Sequence, residues 1–221
     1  MGEIKNVATL TDDVQANINR SAIEFRASWM ALIYDELKKD GIDPEPAIRR
    51  AIWKCGKIHG ENYKAACANP DDCRDFANVF LNELGRKTFE KEIIEMKESE
   101  VLVDFHYCPL LTAWKKLGFD DETCALFCDI AMDGDRGIAE GMGLQLDLTE
   151  TLAEGCPICK LRFYKIIVHL LKQIVTVQDI QCENGAKGYR LLYTRDILFS
   201  IKMREYLLSI KPQRSISLPR I

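Results

Sequence analysis

Apolar residues recur every three or four positions through the first hundred residues of the chain, and this spacing predicts helices. The first predicted helix starts at the N-cap candidate Thr11 and stops at Gly41. Two further helices are predicted after it, over residues 44–66 and 72–97. The apolar positions of the first helix are Val14, Ile18, Ala22, Phe25, Trp29, Leu32 and Ile33.

The pattern changes after residue 99. Apolar and polar residues alternate in "SEVLVDFHYCPL", in "LQLDLTETLAEG" and in "CKLRFYKI", which predicts strands, and the turn "EGCPIC" joins the last two. The segments "LLTAWKKLG" and "DDETCALFCDIAM" between them have helical spacing, whereas "DGDRGIAEGMG" is predicted as a Gly-rich and Asp-rich turn leading into a helical turn. We therefore predict an α+β fold, in which N-terminal helices pack on a small antiparallel sheet with inserted helices.

Charge divides the chain into two parts. Residues 164–221 contain ten Lys and Arg against four Asp and Glu, whereas residues 1–163 contain 20 against 30. This asymmetry predicts a domain over residues 1–163 and a basic C-terminal extension of unknown role and poor order over residues 164–221.

The net charge and the distribution of apolar residues argue against nucleic-acid and membrane partners. The net charge of −4 argues against a nucleic-acid binder. The N-terminus has no apolar segment of a secretory signal, and the most apolar later run, "YKIIVHLLKQIV", is too short to span a bilayer. We expect a soluble cytoplasmic protein with a small-molecule partner and no membrane partner, and homo-oligomerisation stays open.

Histidine and cysteine together form the first chemical candidate. The chain has nine cysteines, which we expect to be reduced because no export signal precedes them. His106 and Cys108 stand two apart at the end of a predicted strand, and a thiolate beside an imidazole is an activated nucleophile. The alternative is a buried cysteine beside a solvent-facing histidine at a turn.

Two other cysteine pairs carry weaker signals. Cys156 and Cys159 have the spacing of half a zinc site, which His106 and Cys108 complete if their strands are neighbours. Cys128 follows Cys124 by four residues, so both lie on one helical face, which is either a buried face or part of a site.

Acidic residues cluster in "CDIAMDGDRG", which contains Asp129, Asp133, Asp135 and Arg136. Clustered carboxylates bind hard cations or act as general bases. The alternative is a solvated turn, in which Asp135 and Arg136 cap a helix. The sequence has no G-x-G-x-x-G, G-K-[S/T], G-x-S-x-G or H-E-x-x-H motif, so the common nucleotide, serine-hydrolase and zinc-protease patterns are excluded.

Three segments in order, "HYCPLLTAWKKLG", "LFCDIAMDGDRGIAEGMG" and "TLAEGCPICKLRF", resemble the L-2-amino-thiazoline-4-carboxylic acid hydrolase family. The resemblance covers residues 106–163 and ends where the charge changes. It implies a hydrolase of cysteine metabolism that acts on non-peptide carbon–nitrogen bonds. Such an enzyme opens a cyclic amidine or thiazoline ring by C–N or C–S hydrolysis, with a product like N-carbamoyl-L-cysteine.

The resemblance also implies roles for individual residues. His106, Cys108, Asp129 and Cys159 are expected to line one pocket. The resemblance does not decide whether a divalent metal is the cofactor. The alternative function is a non-enzymatic small-ligand or zinc-binding sensor module of the vinyl-reductase-domain type, with His106, Cys108, Cys156 and Cys159 as the zinc set. The catalytic candidates are His106, Cys108, Cys128, Asp129, Asp133 and Cys159, and the substrate-binding candidates are Arg136, Arg162 and Trp114.

Overall fold

The computed structural model describes residues 3–165, 176–181 and 187–192. The chain divides into two units, Met1–Ile166 and Ile167–Ile221. The helices described in the first unit are α1 (Val14–Lys39), α2 (Glu45–Ala66), α3 (Cys73–Phe80), α4 (Glu83–Phe89), α5 (Pro109–Lys116), α6 (Asp121–Ala131) and α7 (Asp133–Met142). Its strands are β1 (Lys91–Met96), β2 (Glu100–Phe105), β3 (Gln145–Glu150) and β4 (Cys159–Tyr164).

The four strands of this unit form one antiparallel sheet in the order β1-β2-β4-β3. The register places Lys91 of β1 opposite Phe105 of β2, and Phe105 opposite Cys159 of β4. Directly opposed residues of an antiparallel sheet project from the same face. Lys91, Phe105 and Cys159 therefore form a row across three strands at one end of the sheet.

The N-cap of the long α1 helix lies two residues after the predicted one. The Asp13 carboxylate, and not the Thr11 hydroxyl, accepts the hydrogen bond from the Ala16 N–H at 2.9 Å. At the other end Gly41 adopts a positive φ of 77°, which terminates a helix at little steric cost. The predicted stop at Gly41 is confirmed.

The prediction of a single helix over residues 72–97 is wrong, because the chain forms α3, α4 and β1 there. The Asn82 side chain accepts from the Gly85 N–H at 2.8 Å and starts a new helix. Glu90 ends that helix in the left-handed region, with φ of 50°. The β-branched pair Ile93 and Ile94 then favours a strand.

Residues 133–143 were predicted as a Gly-rich turn leading into a helical turn, but the whole stretch Asp133–Met142 is the helix α7. Its glycines face glycines of α2, and a Cβ on Gly137 would overlap the Trp53 carbonyl oxygen. A Cβ on Gly56 of α2 would likewise overlap the Gly134 carbonyl oxygen. The glycines are therefore needed for close packing of two helix backbones, and this contact determines which way α7 faces.

Aromatic side chains join the helices to the sheet in one core. Phe76 of α3 contacts Phe163 of β4 with ring centroids 5.2 Å apart, and Trp114 of α5 contacts Phe127 of α6 at 5.6 Å. The predicted α+β class, with N-terminal helices on a small antiparallel sheet, is confirmed. No helix within the described ranges is both long enough and apolar enough to cross a membrane.

The second unit contains the antiparallel pair β5 (Thr176–Gln181) and β6 (Lys187–Leu192). Residues 182–186, between these strands, lie outside the described residues. The division at residue 163, and the role and order expected for residues 164–221, stay predictions.

Candidate active site

Lys91 carries a positive charge into the aromatic core. Its Nζ atom lies 4.4 Å from the centroid of the Phe80 ring and 4.5 Å from that of Phe105, with Phe89 at 5.3 Å. Rings bind a cation through their negative faces. Burial lowers the pKa of Lys91 to about 8, and the charge of Asp135 opposes this shift.

The Lys91 ammonium has no hydrogen-bond or ion-pair partner among the residues that the structure describes. Within those same residues, no fully buried side-chain nitrogen or oxygen lacks a partner. The ammonium therefore keeps contact with accessible space, although rings surround it. An unpartnered charge of this kind is available to bind a ligand.

Asp135 on α7 supplies the opposite charge. Burial raises the pKa of its carboxyl, and the charges of Lys91 and Arg26 act in the other direction. Its carboxylate accepts no hydrogen bond from another side chain in the described part of the chain, and the Asp135 N–H, which is the smallest of the pKa-lowering influences, is its backbone donor. Residues two apart on a helix point about 200° away from each other. Asp135 therefore points away from Asp133, toward the core.

Three thiols lie beside these charges. Burial raises the pKa of Cys108 to about 11 and that of Cys159 to about 12, and it raises the pKa of Cys128 well above its ordinary value. Each thiolate would also raise the pKa of its neighbours, since Cys108 acts on both Cys128 and Cys159. The three thiols are therefore protonated near neutral pH.

Local structure positions two of these thiols. Cys108 precedes α5, and the Asn6 side chain holds its backbone, accepting from the Cys108 N–H and donating to the Cys108 carbonyl, both at 2.8 Å. The N–H groups of Leu110 and Leu111 lower the pKa of the Cys108 thiol, but less than burial raises it. Cys159 begins β4, and its Sγ accepts from the Leu152 N–H at 3.3 Å.

Asp135 connects all of these groups. Its charge raises the pKa of Cys108, Cys159 and Tyr63, in each case adding to a larger effect of burial. The Tyr63 ring lies 6.1 Å from that of Phe80, which also contacts the Lys91 ammonium. We name Lys91, Asp135, Tyr63, Cys108 and Cys159 the Asp135 site.

His106 lies outside this site. Its side chain is 41% exposed, and its Nε2 atom is 3.2 Å from the Glu92 carboxylate at the surface. Cys108, two residues later, is held in the core by α5 and Asn6. The structure therefore brings Cys108 and Cys159 together as expected, but it does not bring His106 to them.

Asp129, Asp133 and Arg136 form a separate ion cluster with Arg49 of α2. Arg49 donates to Asp129 at 2.7 Å and to Asp133 at 3.1 Å. Arg136 donates to the same two carboxylates, at 2.6 Å each. Asp129 is 51% exposed. The expectation that Asp129 shares one pocket with Cys108 and Cys159 is therefore wrong, because arginines hold it on the outer side of the helices.

The two remaining substrate-binding candidates are also placed elsewhere. Trp114 is only 1% exposed, and its Nε1 donates to the Ala27 carbonyl at 3.2 Å, so its indole packs α5 against α1. Arg162 lies on the outer face of the sheet and donates to the Glu100 carboxylate at 2.7 Å.

The alternative zinc set does not assemble. Over residues 3–165 and the two later strands, no three His, Cys, Asp or Glu side chains are arranged to hold a metal ion. His106 is at the surface, and Cys159 is engaged by a backbone N–H.

A family model described as L-2-amino-thiazoline-4-carboxylic acid hydrolase matches residues 20–163. The chain belongs to this family. The suspected resemblance is therefore confirmed over a longer stretch than its three motifs. The whole Asp135 site falls within the matched residues of the hydrolase family, whereas Asn6, which holds the backbone of Cys108, precedes them.

Two further comparisons add little to the family assignment. A search of curated proteins finds no match. A trafficking protein particle complex subunit 3 from Naegleria fowleri, solved covalently bound to palmitic acid, aligns at a TM-score of 0.40 with 12% identity, covering 63% of this chain and 95% of that chain. A likeness at that level supports no conclusion about fold or ligand.

Three residues of the site, Lys91, Tyr63 and Asp135, are not among the site residues predicted from the sequence. Lys91 lies in a segment predicted as helix and is flanked by Glu90 and Glu92, so its sequence context is that of an ordinary surface lysine. Asp135 stood within the acidic motif, but Asp129 and Asp133 were preferred to it. If the whole of α7 is taken as a helix, its geometry predicts that the side chains of Asp133 and Asp135 point in opposite directions.

Proposed function

We propose that the chain hydrolyses a small cyclic amidine of the 2-amino-thiazoline-4-carboxylate class and that the Asp135 site is its active site. The observation that carries the proposal is the pair of opposite, unpartnered charges of Lys91 and Asp135 in one partly buried site. A 2-amino-thiazoline carboxylate has one carboxylate and one basic amidine. Each charge of the site thus has a counterpart on this substrate.

The aromatic surroundings support binding of such a ring. The Lys91 ammonium is surrounded by the rings of Phe80, Phe89 and Phe105, which limit its contact with water. A ligand carboxylate would replace the missing solvation with a charge-assisted hydrogen bond. We therefore assign Lys91 to the substrate carboxylate and Asp135 to the amidine end.

The chemistry adds water to the ring carbon between nitrogen and sulfur and breaks the bond from that carbon to sulfur. Asp135 takes a proton from water as the oxygen attacks the protonated amidine, and the raised pKa of its carboxyl makes it a better base than an exposed aspartate. Asp135 returns that proton to the sulfur as the C–S bond breaks. The hydroxyl proton on the same carbon is released to solvent, which leaves a carbamoyl group and a free thiol.

The thiols have a different role in this proposal from the nucleophilic one expected from the motifs. Because burial raises the pKa of Cys108 to about 11, its thiolate is scarce at neutral pH. This favours water as the attacking group, with Cys108 and Cys159 as neutral walls of the site. Cys108→Ser is then expected to change kcat/KM less than tenfold. A decrease in kcat/KM of more than a hundredfold, with the fold intact, would show that the Cys108 thiol is the nucleophile.

The test uses the full-length chain with L-2-amino-thiazoline-4-carboxylate, and mass spectrometry detects the carbamoyl product. Asp135→Asn is expected to lower kcat by about 10²–10⁴-fold, the usual effect of losing a general base. The matched control is Asp133→Asn, two residues away in the surface ion cluster, which should retain activity within threefold. Equal losses in the two variants, or no product with the wild-type chain, would refute the proposal.

The titration of Lys91 should make kcat/KM depend on pH. Because the pKa of Lys91 lies at about 8, kcat/KM should fall as the pH rises through 8 and the ammonium loses its proton. Lys91→Arg keeps the charge at higher pH and should remove this alkaline limb, whereas Lys91→Met should chiefly raise KM. Saturable binding without turnover would instead favour the ligand-binding alternative.

A further inference from the structure

The α1 helix has two apolar faces on opposite sides. The inner face packs into the core through Ala16, Ile23, Ala27, Ala31 and Tyr34, all of which are buried. The outer face carries the apolar positions that the sequence pattern identified, and its large side chains are 45–67% exposed. These outer residues are Val14, Ile18, Phe25, Trp29, Leu32 and Ile33.

The outer face is large for a surface that stays in water. Two of its residues, Phe25 and Trp29, are aromatic, and their ring centroids are 5.4 Å apart. At the observed exposures its six large side chains present on the order of 600–700 Å² of apolar surface, given the usual areas of such residues. A standard stable interface buries about 800 Å² on each partner, so this face with its flanking residues is enough for one.

The spacing of the face shows which partner fits it. Positions 14, 18, 22, 25, 29 and 33 are separated by 4, 4, 3, 4 and 4 residues, which is the same in both chain directions. In an antiparallel pair of α1 helices related by a two-fold axis, Val14 lies opposite Ile33, and Ile18 lies opposite Trp29. Small Ala22 lies opposite large Phe25, which lets the helices approach. A two-fold interface requires this self-complementarity.

We propose that the outer face of α1 is the interface of a homodimer, in which the two α1 helices pack antiparallel about an axis between Ala22 and Phe25. Antiparallel packing also sets the positive end of one helix dipole beside the negative end of the other. A membrane-surface helix would carry Lys and Arg along the borders of its apolar face. Here the borders carry a single basic residue, Arg26, and two acidic ones, Glu24 and Asp35. The other bordering residues are uncharged, namely Gln15, Asn17, Asn19, Ser21 and Ser28.

The test compares two charge-bearing double variants of the full chain. Ile18→Lys with Trp29→Glu places opposite charges across the proposed interface, twice by symmetry, whereas Ile18→Glu with Trp29→Glu places like charges there. Sedimentation equilibrium should give the wild type and the first variant twice the chain mass of 25.2 kDa, and the second variant a single chain mass. Circular dichroism verifies that both variants fold, as expected for exposed positions.

Ile58→Glu is the matched control, because Ile58 is 59% exposed on α2 and lies outside the proposed interface. This variant should remain dimeric. A monomeric wild type at tens of micromolar would overturn the proposal. Equal masses for the two double variants would overturn it as well, since a face covered by residues 166–221 or by another partner would not distinguish opposite from like charges at these two positions.

Discussion

Two aspartates of one helix, two residues apart, have opposite environments. Asp133 is bonded by Arg49 at 3.1 Å and by Arg136 at 2.6 Å, and Asp129 joins the same cluster. Asp135 points the other way, where burial raises its pKa and no arginine bonds it. The motif "CDIAMDGDRG" thus contributes to a surface ion cluster with one side of α7 and to the Asp135 site with the other.

The difference shows why an acidic motif alone is a poor indicator of catalysis. The two carboxylates that arginines satisfy, half-exposed Asp129 and largely buried Asp133, link α6 and α7 to Arg49 of α2. A carboxylate that retains no strong partner is costly to the fold and is therefore a better candidate for function. The same reasoning separates Lys91 from surface lysines such as Lys57 and Lys116, each of which is paired with a glutamate.

Asp133 and Asp135 have opposite environments only if α7 always turns the same face toward α2. The glycines at that contact fix this orientation, so substituting them should have the largest effect on stability. Gly137→Ala would press a Cβ into the Trp53 carbonyl oxygen of α2. We expect it to lower the free energy of unfolding by about 3 kcal/mol or more, at the upper end for overpacking because backbone must move. Urea unfolding followed by circular dichroism measures this.

Gly134→Ala is the control on the same helix, since its Cβ would meet only the Ile52 Cγ2 atom at 3.5 Å. That variant should be neutral or stabilised by up to about 1 kcal/mol, the helix propensity gain of alanine. Similar destabilisation by both substitutions would mean that close packing does not set the orientation of α7.

A smaller effect is expected from the unpaired lysine. The folded pKa of Lys91 is about 8 against an ordinary value of 10.5, so the unfolded chain binds this proton more tightly. The cost to folding is fully present below pH 8 and disappears as the pH rises toward 10.5. Lys91→Met should therefore raise the free energy of unfolding at pH 7 by at most about 3 kcal/mol, because Asp135 loses its counter-charge in the same variant.

The measurement is urea unfolding of wild type and Lys91→Met at pH 7 and pH 9.5, and the difference between the two proteins should shrink at the higher pH. Lys116→Met provides the comparison, because Lys116 is 66% exposed and paired with Glu24. Its effect should not depend on pH in this way. A destabilised Lys91→Met at pH 7 would show that the ammonium has a stabilising partner.

The smallest effect is expected in the surface ion cluster. Partial burial raises the pKa of Asp129, but the hydrogen bonds from Arg136 and Arg49 outweigh it and hold that pKa below its ordinary value. Asp129→Asn should nonetheless cost at most about 1 kcal/mol of unfolding free energy, since the carboxylate is half exposed and water screens it. The loss should shrink in 0.5 M salt, and catalysis should not change beyond threefold.

Prediction from sequence succeeded where the signal was local. The end of α1 at Gly41, the strand patterns around Val101 and Leu161, and the helix starting after Asp120 all follow from spacing and capping within a few residues. The order of three motifs was enough to identify the family, which the match over residues 20–163 confirms. Prediction failed at residues 91–96, where a left-handed Glu90 breaks a pattern that otherwise continues as helix.

The candidate site was predicted in part for the same reason. Cys108 and Cys159 were expected to meet, and they do, because the turn "EGCPIC" and the end of β2 lie at the same end of the sheet. His106 was grouped with them by adjacency, but Pro109 and the start of α5 turn the chain between the two residues. The catalytic roles of all these residues stay predictions.

By itself the sequence determined the class of fold, the family, and one apolar face of α1. Tertiary structure alone decided which face of α1 packs inward, which aspartate of α7 lacks a partner, and that Lys91 joins Phe105 and Cys159 across three strands. The physical reason is the range of the interactions. Helix periodicity and caps depend on residues within one or two turns, whereas strand register, burial and the pairing of charges depend on residues brought together from far along the chain.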